Sequence, residues 1–224
     1  MTRTYFITGT DTGVGKTVLT ALLTQFLHAH GVKAAALKPI CSGGRDDARA
    51  LHAAMNGALT LNEVNPWHFR AAVAPSLAAR RENKIVTLKQ VVASIRATQR
   101  KFDVVLVEGA GGLLSPLGEQ FDSRDLIVAL RAVPLIVAPN QLGMVNHLLL
   151  TLEALPRHRR VQAKVVLMSP PKPDTATAAN FKLLSQFLSP EKIFSLPWLG
   201  HRIAADLIFK KTIVRQTLQS LMGG

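Results

Sequence analysis

The sequence predicts an α/β fold: a mostly parallel central sheet with helices on both faces. Three observations carry this. Apolar runs of strand length alternate with helical patterns from one end of the chain to the other. Those runs are apolar at successive positions, as strands covered on two sides must be. The first run passes through a glycine-rich turn straight into a helical pattern. Strand-like runs occupy residues 4–8, 34–39, 104–108, 135–138, 165–168 and 193–196. Helical patterns fill 16–29, 46–55, 88–98, 124–131, 145–155 and 176–188, and a last helix is expected over 203–221. No repeat or low-complexity tract interrupts the alternation. The stiffest loop, Pro170-Pro171-Lys172-Pro173, has sheet-like segments on either side, so residues 1–224 read as one domain with a substantial core. In such sheets ligands bind beyond the carboxyl ends of the strands, which makes strand-end residues the functional candidates.

The first strand, around Tyr5-Phe6-Ile7, ends in Gly9-Thr10-Asp11-Thr12-Gly13-Val14-Gly15-Lys16-Thr17 and opens into the helical Val18-Leu19-Thr20-Ala21-Leu22-Leu23. Glycines between a strand and a helix let backbone N–H groups curl around an anion, and the helix N-terminus adds its positive end. Lys16 suits the β- and γ-phosphates of a nucleotide, and the Thr17 hydroxyl suits magnesium. The fold is therefore expected to be of the P-loop NTPase type. Gly9 and Gly15 enclose five residues where the common phosphate loop has four, so this loop is longer than usual.

The second strand ends at Lys38-Pro39-Ile40-Cys41-Ser42-Gly43-Gly44. Lys38 there is either a solvated strand-end lysine or a charge poised for a transferring phosphoryl group. Asp46-Asp47 opens the next helix, where the carboxylates either complement the helix dipole or supply oxygen to magnesium; position alone fits both. The third strand runs through Val104-Val105-Leu106-Val107 into Glu108-Gly109-Ala110-Gly111-Gly112. An acid closing a buried strand needs a partner. It either caps the next element or holds magnesium beside the phosphates, as in other phosphate-loop enzymes. Lys16, Thr17, Lys38 and Glu108 together make a phosphoryl-transfer constellation.

Composition excludes several alternatives. A chain 48% hydrophobic and 18% charged is globular rather than disordered. Arg131 and Pro134 break the longest apolar stretch, 126–138, well short of the roughly 18–20 residues of a membrane span. The first residues enter the strand and phosphate loop directly, so a cleaved signal peptide is not expected. A single cysteine, Cys41, leaves no disulfide framework or multi-cysteine metal site. A cytoplasmic protein is the expectation. Lys and Arg exceed Asp and Glu, 27 to 14, for a net charge of +13. The basic residues are nevertheless scattered, and aromatics, at 5%, do not interleave with them as a stacking platform for nucleic acid requires. Attraction for anionic substrates is the simpler consequence, with neither nucleic acid nor membrane as partner.

Several motifs, in order over residues 4–199, resemble those of dethiobiotin synthetase. They are the 9–17 loop with its Thr10-Asp11-Thr12; Lys38-Pro39 with Ser42-Gly43; Asp47; Val64-Asn65-Pro66 with Phe69; Val107 through Gly112; Leu142-Gly143 with Asn146-His147; and Pro197-Trp198-Leu199. The long loop is itself typical of that family. The resemblance implies an ATP- and Mg²⁺-dependent ring closure: 7,8-diaminononanoate takes up CO₂ as a carbamate, the carbamate attacks the γ-phosphate, and the second amine displaces phosphate to close a cyclic urea. Carried onto this chain, Thr12, Lys16 and Lys38 are the catalytic residues. Thr12, Lys16, Lys38 and Ser42 hold the carbamate and phosphate oxygens. Gly13, Val14, Gly15, Lys16, Thr17 and Val18 wrap the phosphates, while Thr17, Asp47 and Glu108 organise magnesium. Glu108, Gly109, Ala110 and Gly111 border the nucleotide, whose base sits against Ser169, Pro197, Trp198 and Leu199. On side-chain chemistry alone Trp198 also fits ordinary core packing. The family is a homodimer whose substrate carboxylate meets a helix N-terminus of the partner subunit, here Gly143, Met144, Val145 and Asn146. Without that role Gly143 is a turn glycine and Asn146 a helix cap.

Three departures fall at the base and subunit edges. Ser169-Pro170 replaces the family's usual Asn-Asp, Gln141 replaces a basic residue, and Gly200-His201-Arg202-Ile203 is basic where an acid is common. A serine offers one hydroxyl where an asparagine amide donates and accepts together, so weaker adenine discrimination and a relaxed nucleotide preference are expected. The rival class is a nucleotide-switched ATPase of the septum-site or partition type. Such proteins carry a lysine early in the loop, where this chain has Thr8-Gly9-Thr10, although the basic, apolar stretch 207–214 resembles a membrane-binding tail. An amide-forming ligase acting on a larger acid is a third class.

Overall fold

The computed structural model describes residues 2–200 and 211–223. Six parallel strands form the main sheet: β1 (Arg3–Gly9), β2 (Ala34–Leu37), β5 (Val104–Glu108), β6 (Val133–Pro139), β7 (Lys164–Met168) and β8 (Ile193–Leu196), in the order β2-β5-β1-β6-β7-β8. The order reverses around β1, so the crevice for a ligand opens where β1 ends. In register, Ile7 of β1 pairs with Glu108, which brings the phosphate loop and the acid that closes β5 to the same edge.

Period-two alternation sorts the side chains of β1 into two cores. Phe6 points into one, beneath α5 (Leu88–Gln99), α6 (Ser123–Leu130) and α7 (Met144–Ala154). Tyr5 and Ile7 point into the other, beneath α1 (Lys16–Ala29) and the C-terminal helix Thr212–Met222. Leu19, Leu22 and Leu23 of α1 are wholly buried there, at about 1.5–3 kcal/mol for each such side chain. That burial anchors the helix whose first turn carries Lys16 and Thr17.

The expected strands and main helices are all present, with boundaries moved by a few residues. The run expected over 34–39 divides. β2 stops at Leu37, and Ile40–Ser42 forms a separate strand, β3, paired in parallel with β4 (Trp67–Phe69). Pro39 has no N–H to give a ladder, and the break frees Lys38 from the sheet. The helix expected over 176–188 is shorter, α9 (Thr175–Leu184). Of the helix expected over 203–221, residues 203–210 lie outside the described residues, and the rest is the helix Thr212–Met222. The short helices α2 (Asp46–Ala54, here as expected), α3 (Leu61–Val64), α4 (Pro75–Arg81) and α8 (Arg157–Arg160) are the remaining α-helices among the described residues. Among the described residues no helix is long and apolar enough to cross a membrane.

At the edge opposite the crevice, basic side chains reach the carboxyl ends of helices. Arg3 donates to Met222 O (3.5 Å), Arg96 to Ala129 O (3.3 Å), Lys164 to Leu221 O (2.8 Å) and Lys192 to Val161 O (2.7 Å). These carbonyls lack intrahelical partners and lie at the negative end of each helix dipole.

Candidate active site

The phosphate loop turns into α1 through Gly15, whose φ of 99° lies in the left-handed region. A Cβ there would also meet the Met168 side chain at 3.1 Å, so only glycine fits. Lys16 is buried, and its ammonium donates to the Asp11 carbonyl (2.7 Å), curling the loop onto itself. Burial, and after it the nearby charge of Lys38, lowers the Lys16 pKa to about 8. Thr17 Oγ1 donates to Glu108 Oε1 (2.8 Å).

Lys38 is not solvated. Its side chain is 3% exposed, and Nζ donates to Glu108 Oε1 (2.6 Å), Asp47 Oδ2 (2.9 Å) and Gly109 O (3.0 Å). Burial works against its charge, but Glu108 and then Asp47 outweigh burial and hold its pKa above the ordinary lysine value. Asp47, half exposed in the first turn of α2, is drawn below the ordinary carboxylate range: burial opposes this, and the Lys38 charge overcomes it. Asp46 pairs outward with Arg49 (2.8 Å). The two acids that open α2 thus divide, Asp46 toward solvent and Asp47 toward the crevice.

Around these groups lies a cleft of about 670 Å³ whose polar lining includes Thr12, Lys16, Thr17, Lys38, Ser42 and Asp47. Thr12 is exposed at its rim; its backbone N–H donates to Asp11 Oδ1 (2.6 Å), while its hydroxyl lies 3.5 Å from the same oxygen. Ser42 donates to Val73 O (2.5 Å). Gly13, Gly15, Val18, Ala110 and Gly111 also face the cleft. Glu108 Oε2 is buried with no hydrogen-bond partner. An orphaned carboxylate oxygen beside the Thr17 hydroxyl and a second carboxylate is an oxygen donor set of the kind that magnesium takes along with nucleotide phosphates. Among the described residues no group of three His, Cys, Asp or Glu could hold a metal, so a cation here must draw on the hydroxyl and the nucleotide as well.

The residues expected at the base lie at the far end of the cleft edge, after β7 and β8. Ser169 N–H donates to Leu196 O (2.9 Å), which sets Ser169 beside Pro197, Trp198 and Leu199. Trp198 is 42% exposed rather than packed in the core, and Leu199 packs on the core beside it. Met168, immediately before Ser169, fills the space beside Gly15 that a Cβ there would enter, and so brings this side up to the phosphate loop. Of the basic segment 200–203, residues 201–203 lie outside the described residues.

Gly143 begins α7 at φ 87° with no side chain capping the helix; Met144 is buried, Val145 half-buried and Asn146 exposed. The cap is Gly143 itself, so Asn146 is not a helix cap but stands within the first turn. Glycine takes the cap here because the chain enters the helix through a left-handed turn.

Sequence reasoning assigned no role to several residues that brace the site. Asn65 and Arg45 tie the Lys38 segment to the start of α2. Cys41 lines the cleft, and burial pushes its thiol pKa up. Asn140 and Asn180 bond at 2.8 Å and pin α9 to the end of β6. A polar Asn before Pro66 reads as an ordinary turn, and a pair 40 positions apart leaves no local pattern.

The family model described as an AAA domain matches residues 3–204. Among curated proteins, the chain is 46% identical over 169 residues to an ATP-dependent dethiobiotin synthetase BioD of Anaeromyxobacter sp. (strain Fw109-5), covering 74% of this chain and 76% of that one. A protein of the same name from Anaeromyxobacter dehalogenans (strain 2CP-C) is 40% identical over 222 residues, with 92% of this chain and 100% of that one covered. Among solved structures, the ParA family ATPase from Chlorobium tepidum TLS superposes with a TM-score of 0.60 at 10% identity, covering 99% of this chain and all of that one. The pNOB8 ParA bound to nonspecific DNA gives 0.59 at 13% identity, covering all of this chain and 98% of that one. At such identities these structures share only the fold. Sequence kinship over nearly the whole chain, on an α/β scaffold with a phosphate loop, places the chain in the dethiobiotin synthetase family.

Proposed function

We propose that the chain is an ATP-dependent dethiobiotin synthetase, closing 7,8-diaminononanoate and CO₂ into a cyclic urea with release of ADP and phosphate. The observation that carries this is the buried Lys38 ammonium, held between Glu108 and Asp47 after β2, which β5 separates from β1 and its phosphate loop, and lining the same cleft as Thr12 and Ser42. A carbamate oxygen attacking a γ-phosphate needs no side-chain nucleophile. It needs two anions brought together and their charge stabilised in a water-poor site. Lys16 faces the phosphates from one wall. Lys38 faces carbamate and phosphoryl oxygens from the other, while Thr12 and Ser42 orient the carbamate. Thr17, Asp47 and Glu108 would hold Mg²⁺, which neutralises phosphate charge when bound. Gly13 to Val18 with Gly109, Ala110 and Gly111 border the nucleotide phosphates.

The base rests against Trp198 between Pro197 and Leu199, with the Ser169 side chain the polar group expected, among the described residues, to read its edge. This supports a relaxed choice of nucleotide. We read the working unit as a cytoplasmic homodimer, with neither nucleic acid nor membrane as partner. Leu142 (85% exposed), Leu150 (62%) and Leu114 (52%) lie around α7, an apolar surface suited to a second copy. The N-terminus of α7, at Gly143, Met144, Val145 and Asn146, then serves the carboxylate of the neighbour's substrate.

The test is phosphate release with 7,8-diaminononanoate and bicarbonate, using ATP, CTP and GTP in turn. Diamine-dependent release with more than one nucleotide is the expected result. A strict preference for ATP overturns the nucleotide reading alone, and release stimulated by vesicles or DNA but not by the diamine overturns the enzyme.

A further inference from the structure

Lys38 sits between the end of β2 and the start of β3, and its backbone is held as firmly as its side chain. Its N–H donates to Val64 O (3.0 Å) and its carbonyl accepts from Asn65 Nδ2 (2.6 Å). Asn65 is 1% exposed, caught between α3 and β4 at φ −138° and ψ 77°, outside the α region that the following Pro66 disfavours. The other end of the same amide faces a different element. Asn65 Oδ1 accepts from Arg45 Nε (3.0 Å) and from the Cys41 thiol (3.2 Å). Arg45 also donates through Nη2 to Asn65 O (2.9 Å) and Asn62 Oδ1 (3.0 Å). It is the residue from which α2 begins, two positions before Asp47.

The orientation of the amide follows from its neighbours. Turned over, Asn65 would set its oxygen against the Lys38 carbonyl and its NH₂ against the Arg45 guanidinium, repulsive at both ends. One buried amide therefore links the backbone of Lys38 to the start of the helix that presents Asp47. We infer that Asn65, seconded by Arg45, is a positioning residue for the reaction: it fixes the contact between the Lys38 ammonium and the Asp47 carboxylate in the cleft wall. The inference rests on the catalytic reading of Lys38. Asn65 touches no reactant and acts through the Lys38 carbonyl; Arg45 acts through Asn65.

Aspartate in this place keeps the shape and the bonds to Arg45 but cannot donate to the Lys38 carbonyl, and two oxygens at such a distance repel. A displacement of the order of 1 Å at a reacting group costs roughly 100-fold in rate. The experiment compares Asn65→Asp, Arg45→Ala and their double variant in diamine-dependent phosphate release, with nucleotide affinity measured separately by a fluorescent ATP analogue and folding by circular dichroism. The expected result is a kcat lowered roughly 10- to 100-fold by Asn65→Asp and less by Arg45→Ala, with nucleotide affinity within about twofold of the parent. The double variant should be no slower than Asn65→Asp, because both act through one amide. A normal kcat in folded Asn65→Asp, losses that multiply in the double variant, or a loss confined to nucleotide affinity overturns the inference. Should Asn65→Asp not fold, Arg45→Ala alone decides, since Arg45 is only half-buried: a normal kcat overturns the inference and a lowered kcat at unchanged affinity supports it. Lys38→Ala in the same assay separates the two readings. Near-normal turnover in that variant defeats the role of Lys38 itself, whereas an inactive Lys38→Ala beside a normal Asn65→Asp defeats only the positioning role.

Discussion

Removing one member of the Lys38–Glu108 pair should cost more than removing both. The two groups are 2.6 Å apart, with side chains 3% and 0% exposed. At an effective dielectric constant of 20, unit charges at that distance attract by about 6 kcal/mol, much of which is offset by taking both out of water. Lys38→Met leaves the Glu108 carboxylate buried and, among the described residues, bonded only by the Thr17 hydroxyl, and a stranded charge of this kind costs about 3–5 kcal/mol. Glu108→Gln leaves Lys38 with Asp47 and the Gly109 carbonyl, so its cost lies at the lower end of that range. Asp47→Asn should cost under about 1 kcal/mol, because Asp47 is 53% exposed and solvent screens its part of the pair. The Lys38→Met/Glu108→Gln double variant carries neither charge and should be more stable than Lys38→Met alone. Urea unfolding of the four variants measures these free energies, and in thermal unfolding the single replacement of Lys38 is expected to lower Tm by roughly 10 °C. Additive losses in the double variant would refute a coupled buried pair. So would a cost below about 1 kcal/mol for Lys38→Met.

Three further outcomes follow from the cleft. Thr12→Val removes the rim hydroxyl but leaves the backbone bond to Asp11, so diamine-dependent turnover should fall about tenfold or more at unchanged nucleotide affinity; unchanged turnover would sink its carbamate role. Gly15→Ala forces a left-handed residue against Met168 at 3.1 Å and should weaken nucleotide binding at least tenfold in equilibrium titration. Lys16, at about 8 in the free protein, is progressively neutral above that pH, so phosphate binding must restore its proton. Nucleotide affinity should then fall up to about tenfold per pH unit above 8, with proton uptake visible by calorimetry in buffers of different ionisation enthalpy. The sign for folding is the reverse: between about 8 and 10.5 the unfolded chain binds more protons at this lysine, so its contribution to stability rises with pH.

The sheet was legible because its strands are long apolar runs set apart by helices, and periodicity reports such elements directly. Phosphate-loop residues were legible for a related reason: their roles depend on local spacing. What escaped was non-local or short. β3 and β4 have three residues each, too few for alternation to register, and their pairing rests on contacts 27 positions apart between Ile40 and Trp67. Lys38 and Glu108 were each singled out at a strand end, but their bond spans 70 positions. Nothing local distinguishes a lysine that will be solvated from one that will be enclosed. Asn65 is the sharpest case. As a residue before proline it carries the signature of a turn, and only the packed structure sets both ends of its amide against different partners.

The four basic side chains at the edge opposite the crevice bear on how the isoelectric point of about 10.6 is to be understood. Arg3, Arg96, Lys164 and Lys192 act there as fasteners for helix ends, their charges taken up by carbonyl groups of the same chain. Part of the excess charge is thus a matter of construction and not of recognition. An engineer lowering the isoelectric point to improve handling should begin elsewhere on the surface, because neutralising these positions loosens the closing turns of helices that line both faces of the sheet.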